Sequence, residues 1–278
     1  MNNDQPVGIF DSGLGGLSVY QEIRRLLPTE DVIYFADNAF CPYGTRPPEE
    51  IDQRCELIAG MLIARGAKVI VVACNTASSV SIWHLREIYP DVSFIGLEPA
   101  VKPAVERSQS RKVGVLATPR TVAGERLRWL IERYANGVEV HSVAATGLVE
   151  LVEAGTLVGE PVREALAPLI DPMIEVGVDE IVLGCTHYPF LRTEIERYVG
   201  PDVEVIDSGA AIARRTQFLL GEQRLLTGST TSGSFQLTTS GDPLFVKGVA
   251  EVLLGEEIAS VDQALALDAA TTVGVGAE

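Results

Sequence analysis

Lysine is scarce in these 278 residues: Lys68, Lys102, Lys112 and Lys247 are the only four, and the formal net charge is −16. Nucleic acid and anionic membrane surfaces are therefore poor candidates for a main partner, because neutralising phosphate takes basic patches. The acidity reads as a solvated surface. Long apolar runs are also absent: none approaches the roughly 18–20 residues of a membrane span. The opening Met-Asn-Asn-Asp-Gln-Pro lacks the basic and apolar regions of a signal peptide, so a cytoplasmic protein is expected. Four cysteines in a chain this long make no disulfide framework. No Cys-x-x-Cys occurs, and His84, His141 and His187 have no ligand spacing, so no metal site is predicted.

What is present is one phrase written twice. Val-Ile-Val-Val-Ala-Cys-Asn-Thr-Ala-Ser covers residues 69–78, and Glu-Ile-Val-Leu-Gly-Cys-Thr-His-Tyr-Pro covers 180–189. Each is a short, β-branched apolar run, the pattern of a buried parallel strand. Each ends in a cysteine where strand gives way to loop, the edge at which open α/β sheets build their sites. A second echo links Val7-Gly-Ile-Phe-Asp-Ser-Gly to Val113-Gly-Val-Leu-Ala-Thr-Pro. Gly8 and Gly114 stand 106 positions apart, Cys74 and Cys185 111 apart. Near-equal offsets at two places argue for duplicated α/β halves, with Ala117 where the first copy has Asp11.

Along the chain, strands are expected at Val7–Phe10, Val32–Ala36, the two cysteine runs, Ser93–Leu97, 113–117, 138–143, Val203–Ile206 and Phe235–Thr239. Helices are expected after residue 17, over 48–65, 77–88 and 121–135, after Pro189, up to Leu220 and over 243–254. Pro168 and Pro172 predict a kink or two short helices within 161–176. Residues 227–234 read as a flexible loop, and the stretch after Glu256 as a loosely held tail.

The turn after the first strand, Asp11-Ser12-Gly13-Leu14-Gly15-Gly16, departs from the dinucleotide fingerprint at Ser18, and no phosphate-loop Gly-Lys-Ser/Thr occurs. It reads as a tight turn offering backbone amides, Asp11 and Ser12 to a small ligand, or equally as a helix cap. Cys55 falls on a helical stripe with Ile51, Ile58 and Leu62 and is expected in the core. His141 and Trp129 read as packing residues. The pairing of two thiols suits proton removal from one face of a carbon and return to the other. A free thiol has a pKa of about 8.5, and a helix N-terminus can lower it. Residues 69–85 and 180–191 hold no lysine or arginine, so amides, hydroxyls and Asn75 are expected to bind carboxylates.

Together Gly8–Leu17, Pro42-Tyr-Gly-Thr-Arg46, Ala73-Cys-Asn-Thr-Ala77, Gly184-Cys-Thr-His-Tyr-Pro189 and Thr239-Ser-Gly-Asp242 resemble the glutamate racemase family, within the aspartate/glutamate racemases. The resemblance spans nearly the whole chain in family order. It implies two similar open parallel-sheet α/β domains related by pseudo-symmetry, with the active site in the cleft between them. The first domain is expected at 1–98 plus 207–255 and the second at 99–206, followed by a tail, 256–278. The implied activity is cofactor-independent interconversion of L- and D-glutamate, with no metal, supplying D-glutamate for peptidoglycan.

The positions matching the catalytic residues are Cys74, which takes the proton from the D enantiomer, and Cys185, which takes it from the L enantiomer. Asp11 and His187 match residues that assist them. Asp11, Ser12, Tyr43, Gly44, Asn75, Thr76, Thr186 and His187 match substrate-binding positions. Glu153 matches a supporting acid, although Ala145-Thr146-Gly147-Leu148 departs from the family's Cys-Pro-Leu-Phe-like pattern. A homodimer with no nucleic-acid or membrane partner is implied. The residues alone leave open a racemase of aspartate or another small acidic amino acid, a non-catalytic small-carboxylate binding protein, and a thiol redox sensor that would use Cys41.

Overall fold

The computed structural model describes residues 3–264. Its first strand, β1 (Val7–Asp11), is buried at all five positions because it is flanked on both edges and covered on both faces. Its neighbours are β2 (Val32–Ala36) and β3 (Val69–Val72), and β4 (Phe94–Gly96) continues the sheet beyond β3. The second half repeats this arrangement with β5 (Lys112–Ala117) at the centre, flanked by β6 (Glu139–Ala144) and β7 (Glu180–Gly184), with β8 (Glu204–Ile206) beyond β7. The orders β2-β1-β3-β4 and β6-β5-β7-β8 are the same, and every pairing is parallel. The sequence echo is therefore a structural one. β9 (Phe235–Thr239) and β10 (Val261–Gln263) extend the first sheet past β2.

Helices cover these sheets: α1 (Leu17–Leu26), α2 (Pro48–Ala64), α3 (Asn75–Ile88), α4 (Val101–Arg107), α5 (Pro119–Ala123), α6 (Glu125–Tyr134), α7 (Leu148–Glu153), α8 (Glu160–Glu175), α9 (Arg192–Val199), α10 (Gly209–Glu222) and α11 (Pro243–Leu254). One continuous apolar cluster runs from Val7, Ile9, Val69 and Val71 of the first sheet to Leu116, Ile181 and Leu183 of the second. The outer faces have cores of their own. Ile51, Cys55, Ile58 and Leu62 of α2 cover the first sheet, and Val101, Leu127 and Leu130 cover the second. Cys55 lies in the core, as its helical stripe predicts, and burial pushes its thiol up to about 12.

The structure differs from the sequence reading in three places. α8 runs unbroken through Pro168 and Pro172. Both prolines lie on its exposed face, opposite the buried stripe of Val162, Leu166, Ile170 and Met173, so water can satisfy the carbonyls they leave unpaired. The expected 121–135 helix is two, divided at Gly124, whose backbone is extended. The stretch read as a loose tail pairs through β10 with β9, while residues 265–278 lie outside the described residues. Among the described residues, no helix is long and apolar enough to cross a membrane.

Candidate active site

β1 delivers Asp11, fully buried, to the carboxyl edge of the first sheet. Its carboxylate accepts the Ser12 and Gly16 amides, both at 2.7 Å, and the Ser12 hydroxyl at 3.3 Å. The Leu14 amide goes to Glu153, from α7 of the other half, at 2.7 Å. Three amides of the glycine turn are thus occupied by side chains, and the turn does not present them to a ligand. Asp11 braces the turn itself, while α1 begins after Gly16 without a side-chain cap.

Glycine in this turn is required by what approaches it. A Cβ on Gly15 would lie 2.2 Å from His187 Nδ1, and one on Gly13 would lie 2.2 Å from Glu153 Oε1. Both intruding groups come from the second half. Gly15→Ala is expected to displace the His187 ring and lower kcat about a hundredfold, at a cost in stability of about 1–3 kcal/mol. Steady-state kinetics beside a thermal melt separate the two effects; unchanged kinetics would show that His187 has another workable position.

Cys74 follows β3 and caps α3, its Sγ accepting the Ala77 amide at 3.5 Å. The thiol also donates toward Ser12 Oγ at 3.8 Å. The sequence anticipates a helix terminus lowering this thiol's pKa, but the structure shows the reverse. Burial, and then the negative charge of Asp11 beside it, push Cys74 well above its ordinary value, and the Ala77 amide does not offset them. Burial likewise raises the Asp11 carboxyl, against the lowering influence of His187. Thr76 Oγ1 lies 3.0 Å from Thr118 Oγ1, so α3 and the end of β5 meet through hydroxyls. Asn75 is buried, and its Nδ2 has no hydrogen-bond partner.

The loop after β2 folds into a short 3-10 turn over Tyr43–Thr45. The Tyr43 hydroxyl donates to Asp37 at 2.5 Å, and Arg54 donates two further bonds to the same carboxylate at 2.7 and 3.0 Å. The Tyr43 hydroxyl is therefore engaged in bracing the loop, and what it turns toward the cavity is its body. Gly44 permits close packing on Thr118, 2.8 Å from the place of a Cβ.

Cys185 follows β7 and is buried, with Sγ 3.6 Å from His187 Nδ1. His187 Nε2 lies 2.6 Å from Glu153 Oε1. Asn38, from the loop after β2, donates to Glu153 Oε2 at 2.6 Å. A chain Cys185–His187–Glu153–Asn38 thus crosses from the second half to the first. Burial works against a charged imidazole, but hydrogen bonds with Cys185, Cys41 and Glu153 outweigh it and hold His187 well above its usual value. Burial also opposes the Glu153 carboxylate, yet the bond from His187 and its positive charge, with the Leu14 and Asn38 donors, keep Glu153 below the ordinary range. Thr186 Oγ1 reaches Asp11 at 3.5 Å, a further link between the halves.

Both cysteines open on one narrow cavity, lined also by Ser12, Tyr43, Gly44, Asn75, Thr76 and His187. Asp11 and Glu153 stand behind that wall, bonded to Ser12 and His187 that form it, and Thr186 bonds Asp11. Pro42, Thr118 and Val149 complete the lining, and none of the three is among the expected site residues. A signal for Thr118 was available: the 106-residue repeat places it in register with Ser12. Asn38 and Cys41 carried no comparable signal, because only the fold brings their loop to α7. Among the described residues, Cys41, Glu153 and His187 have ligand-type atoms within 4.8 Å of one another, a set capable of holding a metal ion.

The signature of the family described as Asp/Glu/Hydantoin racemase matches residues 7–216. Glutamate racemase of Herpetosiphon aurantiacus is 52% identical over 240 residues, 86% of this chain and 94% of that one. The crystal structure of Francisella tularensis glutamate racemase in complex with D-glutamate superposes with a TM-score of 0.83 at 30% identity, covering 96% of this chain and 99% of that one. The Escherichia coli glutamate racemase in complex with L-glutamate and the activator UDP-MurNAc-Ala has a TM-score of 0.83 at 35% identity, with 93% and 98% covered.

Proposed function

The chain belongs to the Asp/Glu/hydantoin racemase family and is an amino-acid racemase, and from that premise we propose that it interconverts L- and D-glutamate by a cofactor-independent, two-base mechanism. Its product would supply D-glutamate for peptidoglycan. The observation that carries this reading is the meeting of Cys74 and Cys185, from corresponding strands of the two halves, at one cavity.

In this reading Cys185 takes the α-proton of L-glutamate, and Cys74 returns a proton to the opposite face. For D-glutamate the roles reverse. The charge pattern suits the L direction: Cys74 is held toward the thiol, ready to donate, and Cys185 rests against an imidazole raised above its usual value. Asp11 orients Ser12 and stands beside Cys74, and His187 serves Cys185. As the α-proton leaves, negative charge spreads into the α-carboxylate, where preorganised donors stabilise it. The free Asn75 amide and the Ser12, Thr76 and Thr118 hydroxyls are the donors the cavity offers.

Asn75→Ala is expected to raise the KM for glutamate by about 10–100-fold, the equivalent of one hydrogen bond to a charged group, with a smaller change in kcat. A KM within twofold of the parent would remove Asn75 from the substrate contacts.

We read residues 1–98 with 207–255, and 99–206, as two domains that part to admit substrate. The two passages of chain between the sheets lie side by side, with Ser208 Oγ donating to the Glu98 carbonyl. The cavity between the thiols has a free volume of about 10 Å3, room for about one water, so glutamate enters only if the halves move. The experiment that tests the function is incubation with L-glutamate in D2O, without added cofactor, followed by α-proton NMR and chiral analysis. Loss of the α-proton with appearance of D-glutamate is expected, and L-aspartate in parallel reports substrate choice. An unchanged α-proton with both, in folded and reduced protein, would overturn the racemase reading in favour of a carboxylate-binding protein.

A further inference from the structure

We propose that Cys41, Glu153 and His187 form a binding site for a thiophilic divalent cation such as zinc, reached from outside the substrate cavity. The three ligands come from separate segments: the loop after β2, the end of α7 and the turn after β7. Their donor atoms already lie within 4.8 Å of one another. One sulfur, one nitrogen and one carboxylate oxygen is a donor set that zinc accepts, with a fourth position left for solvent. Binding would release two protons to solvent, one from the Cys41 thiol, which burial pushes up to about 12, and one from the His187 imidazolium. The thiolate and carboxylate left behind would neutralise the ion's two charges, which a largely buried site requires.

The present spacing is close to what coordination needs. Zinc bonds of about 2.0–2.3 Å put tetrahedral ligands roughly 3.3–3.6 Å apart. The Glu153–His187 contact, at 2.6 Å, would have to open by less than about 1 Å. Glycine at positions 13 and 15 lets the ligands sit here at all, since a Cβ on either would collide with Glu153 or His187.

An independent feature supplies the access route. Cys41 and Glu153 line a second cavity, of about 370 Å3, whose wall includes neither Cys74 nor Cys185 and which shares only Pro42 and Val149 with the substrate cavity. Its wall adds Glu150 and Asp242, with the aromatic ring of Phe245, and has no lysine or arginine among the described residues. A cation is therefore drawn to this mouth, while a dicarboxylate substrate is not. An ion held here would take the His187 nitrogen that now faces Glu153, break that pair and tie the two halves together. Occupancy would slow turnover through His187, which also lines the substrate cavity.

The test uses the purified full chain, reduced and metal-stripped. Zinc affinity is measured by competition with a chromophoric chelator, and cobalt(II) is added separately to read the sulfur-to-metal charge-transfer band in the near ultraviolet. The parent should bind one ion and show the band. Cys41→Ala should bind zinc at least a hundredfold more weakly and lose the band, with its melting temperature kept. Cys41→Ser, which retains the shape, serves if the alanine variant folds poorly. Cys74→Ala should bind like the parent. Equal zinc affinity in parent and Cys41→Ser, or a band that Cys74→Ala removes and Cys41→Ser keeps, overturns the proposal, because the substrate-cavity thiols would then be the ligands. Absence of binding by the parent overturns it outright.

Discussion

Cys74→Ser is expected to lower kcat for glutamate racemisation by a thousandfold or more in both directions, yet leave solvent deuterium exchange on one enantiomer. The size follows from the chemistry. A positioned acid–base group contributes about 10²–10⁴, and a serine hydroxyl is a far weaker acid than a thiol in the same buried place. The asymmetry follows from the architecture. In the proposed mechanism Cys185 still faces the α-carbon of L-glutamate with His187 beside it, can remove that proton, exchange it with D2O and return deuterium to the same face. Nothing remains on the other face, so D-glutamate neither forms nor exchanges. Cys185→Ser should give the mirror result: exchange into D-glutamate alone, dependent on Cys74 and Asp11. Serine is the apt replacement because it keeps a hydrogen-bonding atom for the Ala77 amide that now bonds Cys74, so loss of activity is not loss of fold. Two single variants that both racemise within tenfold of the parent would defeat the two-thiol mechanism, as would one that exchanges both enantiomers.

Much of this arrangement is legible in the residues because its causes are local. Val69–Val72 and Glu180–Gly184 are strands in any context that buries both faces, and a cysteine directly after such a strand falls at the sheet's carboxyl edge. The repeat adds the strand order, since two halves with the same pattern adopt the same one. What sequence does not carry is the cross-half bonding. Glu153 stands in a stretch that departs from the family pattern, and its place is set by the Leu14 amide and Asn38, both more than a hundred residues away. The pKa of Cys74 is hidden for a related reason: a helix terminus is visible in sequence, but full burial beside Asp11 is a product of the assembled fold. The prolines of α8 mislead because propensity is local, while the buried stripe of Val162, Leu166 and Ile170 holds the helix against it.

The other large effect belongs to Glu153. Glu153→Gln keeps the shape and removes the charge, and is expected to lower kcat about a hundredfold. His187 is held above its ordinary value of 6.5 in part by the bond to Glu153, so the neutral amide lets it fall. If the charged imidazole supports Cys185, the alkaline limb of the pH–rate profile moves to lower pH in the variant, which a merely structural role would not produce.

Stability changes with the same signs. His187, raised in the fold, contributes stability that is complete below 6.5 and fades as pH rises through its folded value. Glu153, lowered in the fold, contributes stability that is complete above 4.5 and fades as pH falls through its folded value. The parent's advantage over Glu153→Gln is therefore greatest between these limits, about 3 kcal/mol for a broken buried pair, and shrinks on either side. Denaturant melts taken from about pH 5.5 upward, alongside the NMR titration of His187, measure the difference. Destabilisation that stays the same on both sides of the measured His187 titration, with an unmoved alkaline limb, would reduce Glu153 to a packing residue. A gap that closes at high pH together with a shifted limb would make the Glu153–His187 pair the electrostatic partner of Cys185.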